Sequence, residues 1–361
     1  MRELLVGRYD PGSAAAFVER AVSRGIAREH YRQTELGPLS SIGLGTYLGD
    51  LDPATDTLMT EAIIRTVSEG AVNVIDTAIN YRWMASERCV GAGLRSLVES
   101  SEVDRRSVLV CTKAGYLTHD PASGERYEEF LVGKVIGTGL ARPEEVAAGI
   151  HCIAPKYLRW SAKRSLENMG LESIDVFYLH NVAESQAPVF GRAETLRRIE
   201  EAFGVLEDLR SDGLIGWYGL ATWSSLVVPE DAEEHLELEE LTGLARKVAG
   251  RSNGFRFVQM PFNALMRGAV ESRVQRVSGE PMTPVEAAKS LGLVVVTSAP
   301  LLQGKLLRMP ELSVSTKGNL TLAQALVQFC RRSPVTTTLV GAKSPEHVRE
   351  LIDLARIPPT L

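Results

Sequence analysis

Eight short, near-continuous apolar segments, nearly all followed by a longer stretch of helical periodicity, predict an α/β protein built as a single (β/α)8 TIM barrel. Two further observations favour a closed barrel over a doubly wound sheet. The segments are rich in Val, Ile, Leu and Phe, as parallel strands buried on both faces are. No early Gly-x-Gly-x-x-Gly opens a helix after a strand.

The strand segments are Ser41–Tyr47, Val72–Ala78, Ser107–Lys113, Asp175–His180, Ile215–Thr222, Phe255–Phe262, Leu293–Ala299 and Thr336–Gly341. Between them, Met59, Ile63 and Val67 recur at helical spacing and stop at Gly70. Leu158, Ala162, Leu166 and Met169 do the same before Gly170, and glycine at these positions is a common helix stop. Leu322, Leu326 and Phe329 form a third stripe behind Thr321, whose partner Gln324 completes a capping-box spacing. Near the end, Ser344-Pro345-Glu346 reads as an N-cap followed by proline at the first helical position.

The 361 residues exceed the roughly 250 of a minimal barrel, and the surplus falls in particular places. Residues 1–30 form an N-terminal extension with a helix-like piece, Ala14–Arg24, and residues 31–361 form the barrel. Residues 114–155, after the third strand, are too long for an ordinary connection and read as an inserted lid-like loop on the C-terminal face. Its Gly-rich stretch Val132–Leu140 lacks the Ser or Thr after Lys134 that a phosphate loop needs. A polar, Pro-containing segment, Ala183–Ala193, follows the fourth strand.

Composition narrows the function classes. Hydrophobic residues at 44% and charged residues at 24% describe a chain that folds around a core, not a disordered or fibrous one. A net charge of −5 argues against a nucleic-acid-binding face, while leaving room for one small basic pocket around Lys305 and Lys343. No apolar run approaches membrane-spanning length, so no membrane partner is expected. Cys89, Cys111, Cys152 and Cys330 are widely spaced, with no Cys or His at metal-ligand spacing. They read as buried free thiols of a cytoplasmic protein, and no metal site is expected. His30, His119, His151 and His235 read as surface or loop residues.

Polar residues at the C-terminal ends of barrel strands converge on one pocket. Here they are Asp76 with Tyr81 just beyond it, Lys113, His180 with Asn181, Thr222, Gln259 and Ser298. Lys113 inside a barrel mouth needs an anionic partner, and Asp76 on the neighbouring strand supplies one. An ammonium beside Tyr81 is expected to lower the phenol pKa and make it a proton donor near neutral pH. His180 is placed to hydrogen-bond the same substrate oxygen.

The stretch Asp76-Thr-Ala-Ile-Asn-Tyr81, with Ser86-Glu87 and Gly91 behind it, resembles the aldo-keto reductase signature. So do Ile42-Gly-Leu-Gly-Thr46, Cys111-Thr-Lys113, Ile174–His180 and Gly341-Ala-Lys343, over about Tyr31 to Ile357. The resemblance implies an NAD(P)H-dependent oxidoreductase that reduces an aldehyde or ketone, or oxidises an alcohol or sugar in reverse. Its implied catalytic set is Asp76, Tyr81, Lys113 and His180, with Tyr81 as general acid/base and His180 orienting the carbonyl. The resemblance further implies a cofactor bound in extended form, NADP(H) in preference to NAD(H). Gly45, Thr46, Asn181, Thr222, Gln259 and Ser298 would hold its nicotinamide end. Pro300, Leu301, Gln303 and Lys305 would hold the pyrophosphate, and Gly341, Lys343, His347 and Glu350 the adenosine end. Tyr47 and Trp83 would line the pocket for a small-molecule carbonyl or alcohol. Four places depart from the common pattern: the fifth strand ends in Ala221-Thr222, Ser298 replaces a stacking aromatic, His347 an Arg and Leu351 an Asn. Two rival readings use the same residues: a Schiff-base barrel with Lys113 as nucleophile, and a non-catalytic, cofactor-sensing regulatory barrel.

Overall fold

In the computed structural model, which describes residues 3–309 and 320–360, eight parallel strands close into a barrel. They are β1 (Ile42–Gly45), β2 (Val74–Asp76), β3 (Leu109–Ala114), β4 (Ile174–His180), β5 (Ile215–Ala221), β6 (Phe255–Pro261), β7 (Val294–Ser298) and β8 (Thr337–Val340). They pair in chain order, and β8 returns to β1 through Thr338 beside Ile42 and Val340 beside Leu44. Every strand expected from the apolar runs is present within about two residues at each end.

The helices start and stop where the local chemistry dictates. Helix Pro53–Ser68 begins on Asp52, whose carboxylate accepts from the Thr55 amide at 2.8 Å. Just past its end, Gly70 adopts φ +83°, and a Cβ there would strike Ala21 at 2.4 Å. Helix Pro155–Met169 ends on left-handed Gly170. Thr321 and Gln324 form the expected reciprocal cap of helix Leu322–Arg332. Ser344 caps helix Pro345–Ala355.

One end of the barrel is plugged. Leu39, from the hairpin Tyr31–Thr34 with Gly37–Ser40, and Tyr9, from the N-terminal extension, pack with Val74, Cys111, Val176, Tyr178, Phe257 and Leu339. Asp175, the second residue of β4, organises this plug. Its buried carboxylate accepts the amides of Tyr9 at 2.5 Å and Val110 at 2.7 Å and ion-pairs with the buried Arg105 at 2.8 Å. The extension continues as helix Pro11–Ser23, with Phe17, Val18 and Ala21 in the same core as Met59, Ile63 and Val67. With this end filled, any cavity must open at the C-terminal ends of the strands.

Two expectations, on the segment after β4 and on the histidines, need correction. The segment Ala183–Ala193 is no extra loop: it is helix Val182–Phe190 running into helix Arg192–Ser211. Pro188 falls in the last turn of the first helix, which stops two residues later at the break on Gly191. The insertion 114–155 has its own small core of Leu117, Phe130, Val135, Ala141, Cys152 and Tyr157. His30, His151 and His235 are buried rather than superficial, and each bonds a carbonyl through one ring nitrogen. All four cysteines are free and buried. Among the described residues no helix is long and apolar enough to cross a membrane.

Removing Asp175 strands the Arg105 guanidinium in the core. Asp175→Ala is expected to lower stability by about 3–5 kcal/mol. Asp175→Asn, whose single amide oxygen can still accept the Val110 amide and the Arg105 guanidinium, should lose less, and urea denaturation of both variants checks the order.

Candidate active site

Strand alternation decides which side chains enter the barrel. In β3, Leu109 and Cys111 belong to the interior cluster whereas Val110 and Ala114 pack outward, so Lys113 points inward. The same parity turns Asp76 of β2, His180 of β4 and Gln259 of β6 toward the barrel axis, each at or near the last residue of its strand.

Lys113 is completely buried and its ammonium is fully used. Its Nζ donates to Asp76 Oδ1, to the Thr77 carbonyl at 2.9 Å and to the Tyr81 hydroxyl at 3.2 Å. The other Asp76 oxygen accepts from Gln259 Nε2 at 2.8 Å. Tyr81 reaches this group through a left-handed turn: Arg82, Trp83 and Met84 adopt φ of 48°, 52° and 71° before helix Ala85–Glu99 begins. Non-glycine residues take such angles only when held. Arg82 does the holding, through the Asp50 carbonyl at 2.6 Å and an ion pair to Asp56 at 2.6 Å.

Of the ten described non-glycine residues with positive φ, seven follow β2, β4 or β7 at this end of the barrel. Besides the Arg82 turn they are Asn181, Ala299, Leu302 and Gln303. Backbone strain therefore concentrates around the cavity mouth, as functional sites often show.

Burial reverses one expectation about charge. It raises the Tyr81 phenol above its ordinary value, and the pull of Lys113 in the opposite direction only partly offsets this. Tyr81 is therefore a neutral phenol near pH 7. Burial alone would depress Lys113, but the Asp76 carboxylate outweighs it and, with the hydrogen bond to Tyr81, keeps the ammonium charged. His180 is held well below its usual range by burial, with Lys113 and His151 adding to the effect, so its imidazole is neutral.

These groups form one wall of a cavity of about 740 Å³. Lys113 lies behind that wall, while Asp76, Tyr81 and His180 face it. Gly45, Thr46, Tyr47, Asn181, Thr222, Gln259 and Ser298 line it too, as do Pro300, Leu301, Gln303, Gly341, Lys343, His347 and Glu350. Two expected residues lie outside the lining. Trp83, turned outward by its left-handed backbone, packs edge-on against His119 at 4.9 Å. Lys305 is exposed beyond the left-handed turn at Gln303, so the basic character of the cavity comes from Lys343.

Other lining residues were not foreseen. Tyr116 stands edge-on to His180 at 5.1 Å, and its hydroxyl accepts from Asn181 Nδ2 at 3.2 Å. Trp223 lies on the far side of Asn181, where Glu184 Oε1 accepts the amides of Trp223, Ser224 and Ser225 at 2.7–3.0 Å. Asn80 and Gln324 complete the polar lining. An aromatic directly after a strand-end candidate, as Trp223 follows Thr222, was the one signal available for any of them.

Residues 41–308 match the family model described as the aldo/keto reductase family. An aldo-keto reductase from Bacillus halodurans shares the fold at 20% identity, with a TM-score of 0.58 and 91% of each chain covered. An aldo-keto reductase from Klebsiella pneumoniae, solved with NADP and acetate, is 18% identical with a TM-score of 0.58, covering 91% of this chain and 90% of its own. A glycerol dehydrogenase from Gluconobacter oxydans is 19% identical, with a TM-score of 0.56 and 90% of each chain covered. A search of the curated proteins found no match. With the family model spanning most of the chain and the fold shared end to end, the protein belongs to the aldo/keto reductase family, whose members are oxidoreductases acting on carbonyl and alcohol groups.

Proposed function

We propose that the protein is an NADP(H)-dependent reductase of uncharged aldehydes or ketones, also able to run the reverse oxidation of the alcohol, with Tyr81 as its general acid. One observation carries the reading: a charged, fully bonded Lys113 lies 3.2 Å from the hydroxyl of a neutral Tyr81, on the wall of a large cavity.

The polar groups facing the cavity suit a nicotinamide dinucleotide. Gln259 commits its amide nitrogen to Asp76, which leaves its carbonyl oxygen to accept from a carboxamide. Asn181, Thr222 and Ser298 surround the same end. Across the mouth, Lys343 adjoins the N-terminus of helix Pro345–Ala355, an arrangement favourable to a phosphate. Gln303 and the backbone after β7 lie between the two ends. Bound here, the reduced cofactor would supply the hydride.

The chain's own residues supply the rest. Neutral His180 and the Tyr81 hydroxyl converge on one region of the cavity, where a carbonyl oxygen can accept from both. As hydride adds to the carbonyl carbon, the Tyr81 proton passes to the oxygen and leaves a phenolate. Lys113 stabilises that phenolate, so its charge acts where negative charge develops rather than in the resting enzyme. Burial of the resting phenol keeps it protonated until then.

This geometry speaks against a Schiff-base role for Lys113. An imine needs a neutral amine with a free lone pair, whereas this ammonium is charged and donates to three acceptors. The complete Asp76, Tyr81, Lys113 and His180 set likewise argues against a purely regulatory barrel. Four buried free thiols support a reducing, cytoplasmic setting.

The substrate side is aromatic and apolar. Tyr47, 5.0 Å from the Tyr81 ring, joins Leu48, Tyr116 and Trp223 there. The other charged or titratable lining residues, Lys343, His347 and Glu350, belong to the β8 side. A charged substrate would lose its hydration without gaining a counterion.

Tyr81→Phe is expected to lower kcat by about 10²–10⁴-fold in NADPH oxidation assays while leaving NADPH binding intact. Near-full activity in this variant would overturn the assignment. Lys343→Ala should raise the KM for NADPH about tenfold and that for NADH little, since one charge-assisted contact is lost only with the phosphorylated cofactor. Benzaldehyde should be reduced with about 100-fold higher kcat/KM than 4-carboxybenzaldehyde, reflecting the cost of burying an unpaired carboxylate.

A further inference from the structure

The end of β4 carries an unusual constraint. Asn181, the residue after His180, adopts the left-handed φ of 45°, so the peptide between them must be held in an unfavourable orientation. Both its polar groups are engaged. The Asn181 amide donates to the Ala221 carbonyl of β5 at 2.7 Å. The His180 carbonyl bonds His151 Nε2 at 2.8 Å.

The tautomer of His151 follows from its neighbours. Arg198, always charged, donates to Gln186 Oε1 at 3.2 Å, so the Gln186 amide nitrogen faces His151 Nδ1 at 3.0 Å. Nδ1 must then accept, and the ring proton sits on Nε2, aimed at the His180 carbonyl. His151 is fully buried, and its imidazole, pushed down to about 4 by burial, stays neutral. Its backbone is clamped as well: it exchanges hydrogen bonds with Ala147 at 2.7 and 3.1 Å and bridges Tyr116.

The surroundings leave no room for anything else at this junction. Gly115 runs between the two histidines with φ +148°, where a Cβ would come within 2.5 Å of His151 Nε2 and 2.8 Å of the His180 carbonyl. Tyr116 stands edge-on to both rings, at 5.2 Å from His151 and 5.1 Å from His180, and bonds the Asn181 side chain.

We propose that His151 is a positioning residue: through its Nε2–H it pins the His180–Asn181 peptide and so aims both side chains into the cavity. The insertion 114–155 that carries it is a brace for the catalytic end of the barrel. The role assigned to His180 rests on the reductase reading above, whereas the brace itself is a property of the folded chain.

His151→Leu keeps the bulk and removes the donor, while His151→Gln keeps a donor at the position of Nε2. With benzaldehyde and NADPH, His151→Leu is expected to lose about 100-fold in kcat, the scale of a misaimed catalytic group. NADPH affinity, followed by fluorescence quenching, should fall far less than kcat, because Asn181 is one of several groups that would hold the cofactor. His151→Gln should recover most of the lost kcat. Unchanged kcat in a folded His151→Leu protein, or a Gln variant as slow as the Leu variant, overturns the proposal. Should His151→Leu fail to fold, ¹⁵N NMR of the wild-type imidazoles still tests it. His151 is expected neutral, with Nε2 protonated and Nδ1 bare, from pH 5.5 to 8, and a proton found on Nδ1 overturns the brace. A wild-type protein that reduces no carbonyl, yet carries the Nε2–H tautomer, overturns the reductase reading and upholds the brace.

Discussion

The Lys113–Asp76 ion pair is the constraint around which the open end of the barrel is arranged. A lone ammonium at this depth would be too costly to keep charged, and even a paired one needs its remaining protons satisfied. Asp76 answers the charge, the Thr77 carbonyl takes a second proton and the Tyr81 hydroxyl the third. Gln259, from the opposite side of the barrel, satisfies the outer carboxylate oxygen. Residues from β2, β3 and β6 are thereby drawn to one point, and Tyr81 completes the set because it is the last available acceptor.

That arrangement explains why so much surrounding backbone is strained. To reach Lys113, Tyr81 must sit on a turn of three consecutive left-handed residues, and Arg82 anchors the turn to the loop after β1. To aim His180 and Asn181 inward, the end of β4 must break from strand geometry at Asn181. In both places a buried polar side chain ties the left-handed residues to a distant segment, Arg82 reaching out from its own turn and His151 reaching in. The mouth of the barrel is preorganised by side-chain to backbone bonds, a more directional kind of support than apolar packing alone.

Much of this was legible in the sequence, for a physical reason. Strand alternation has a period of two, so an apolar run ending in Asp76, Lys113 or His180 states which way that residue points. The eight runs, the Asp-to-Tyr spacing and the caps at Thr321 and Ser344 were readable on the same local grounds. Long-range contacts were not. His151, in an insertion without periodicity, meets His180 across 29 positions that hold helix Pro155–Met169 and β4, and nothing local announces the contact. The direction of the Tyr81 shift was misread because sequence shows which charges are near but not how deeply the phenol is buried. The family resemblance put Trp83 in the pocket, whereas from its left-handed turn it packs on His119 outside the lining.

The plug at the closed end has a consequence for the order of synthesis. Tyr9 leaves the ribosome well before the Asp175 carboxylate that receives its amide, which is made 166 residues later, and the Arg105 that neutralises Asp175 lies between them. The segment made before the barrel thus reaches its final place only after half of the barrel exists. Until β4 emerges, the Tyr9 amide has no carboxylate to receive it and the plug stays incomplete, although helix Pro11–Ser23 can already pack on Met59, Ile63 and Val67.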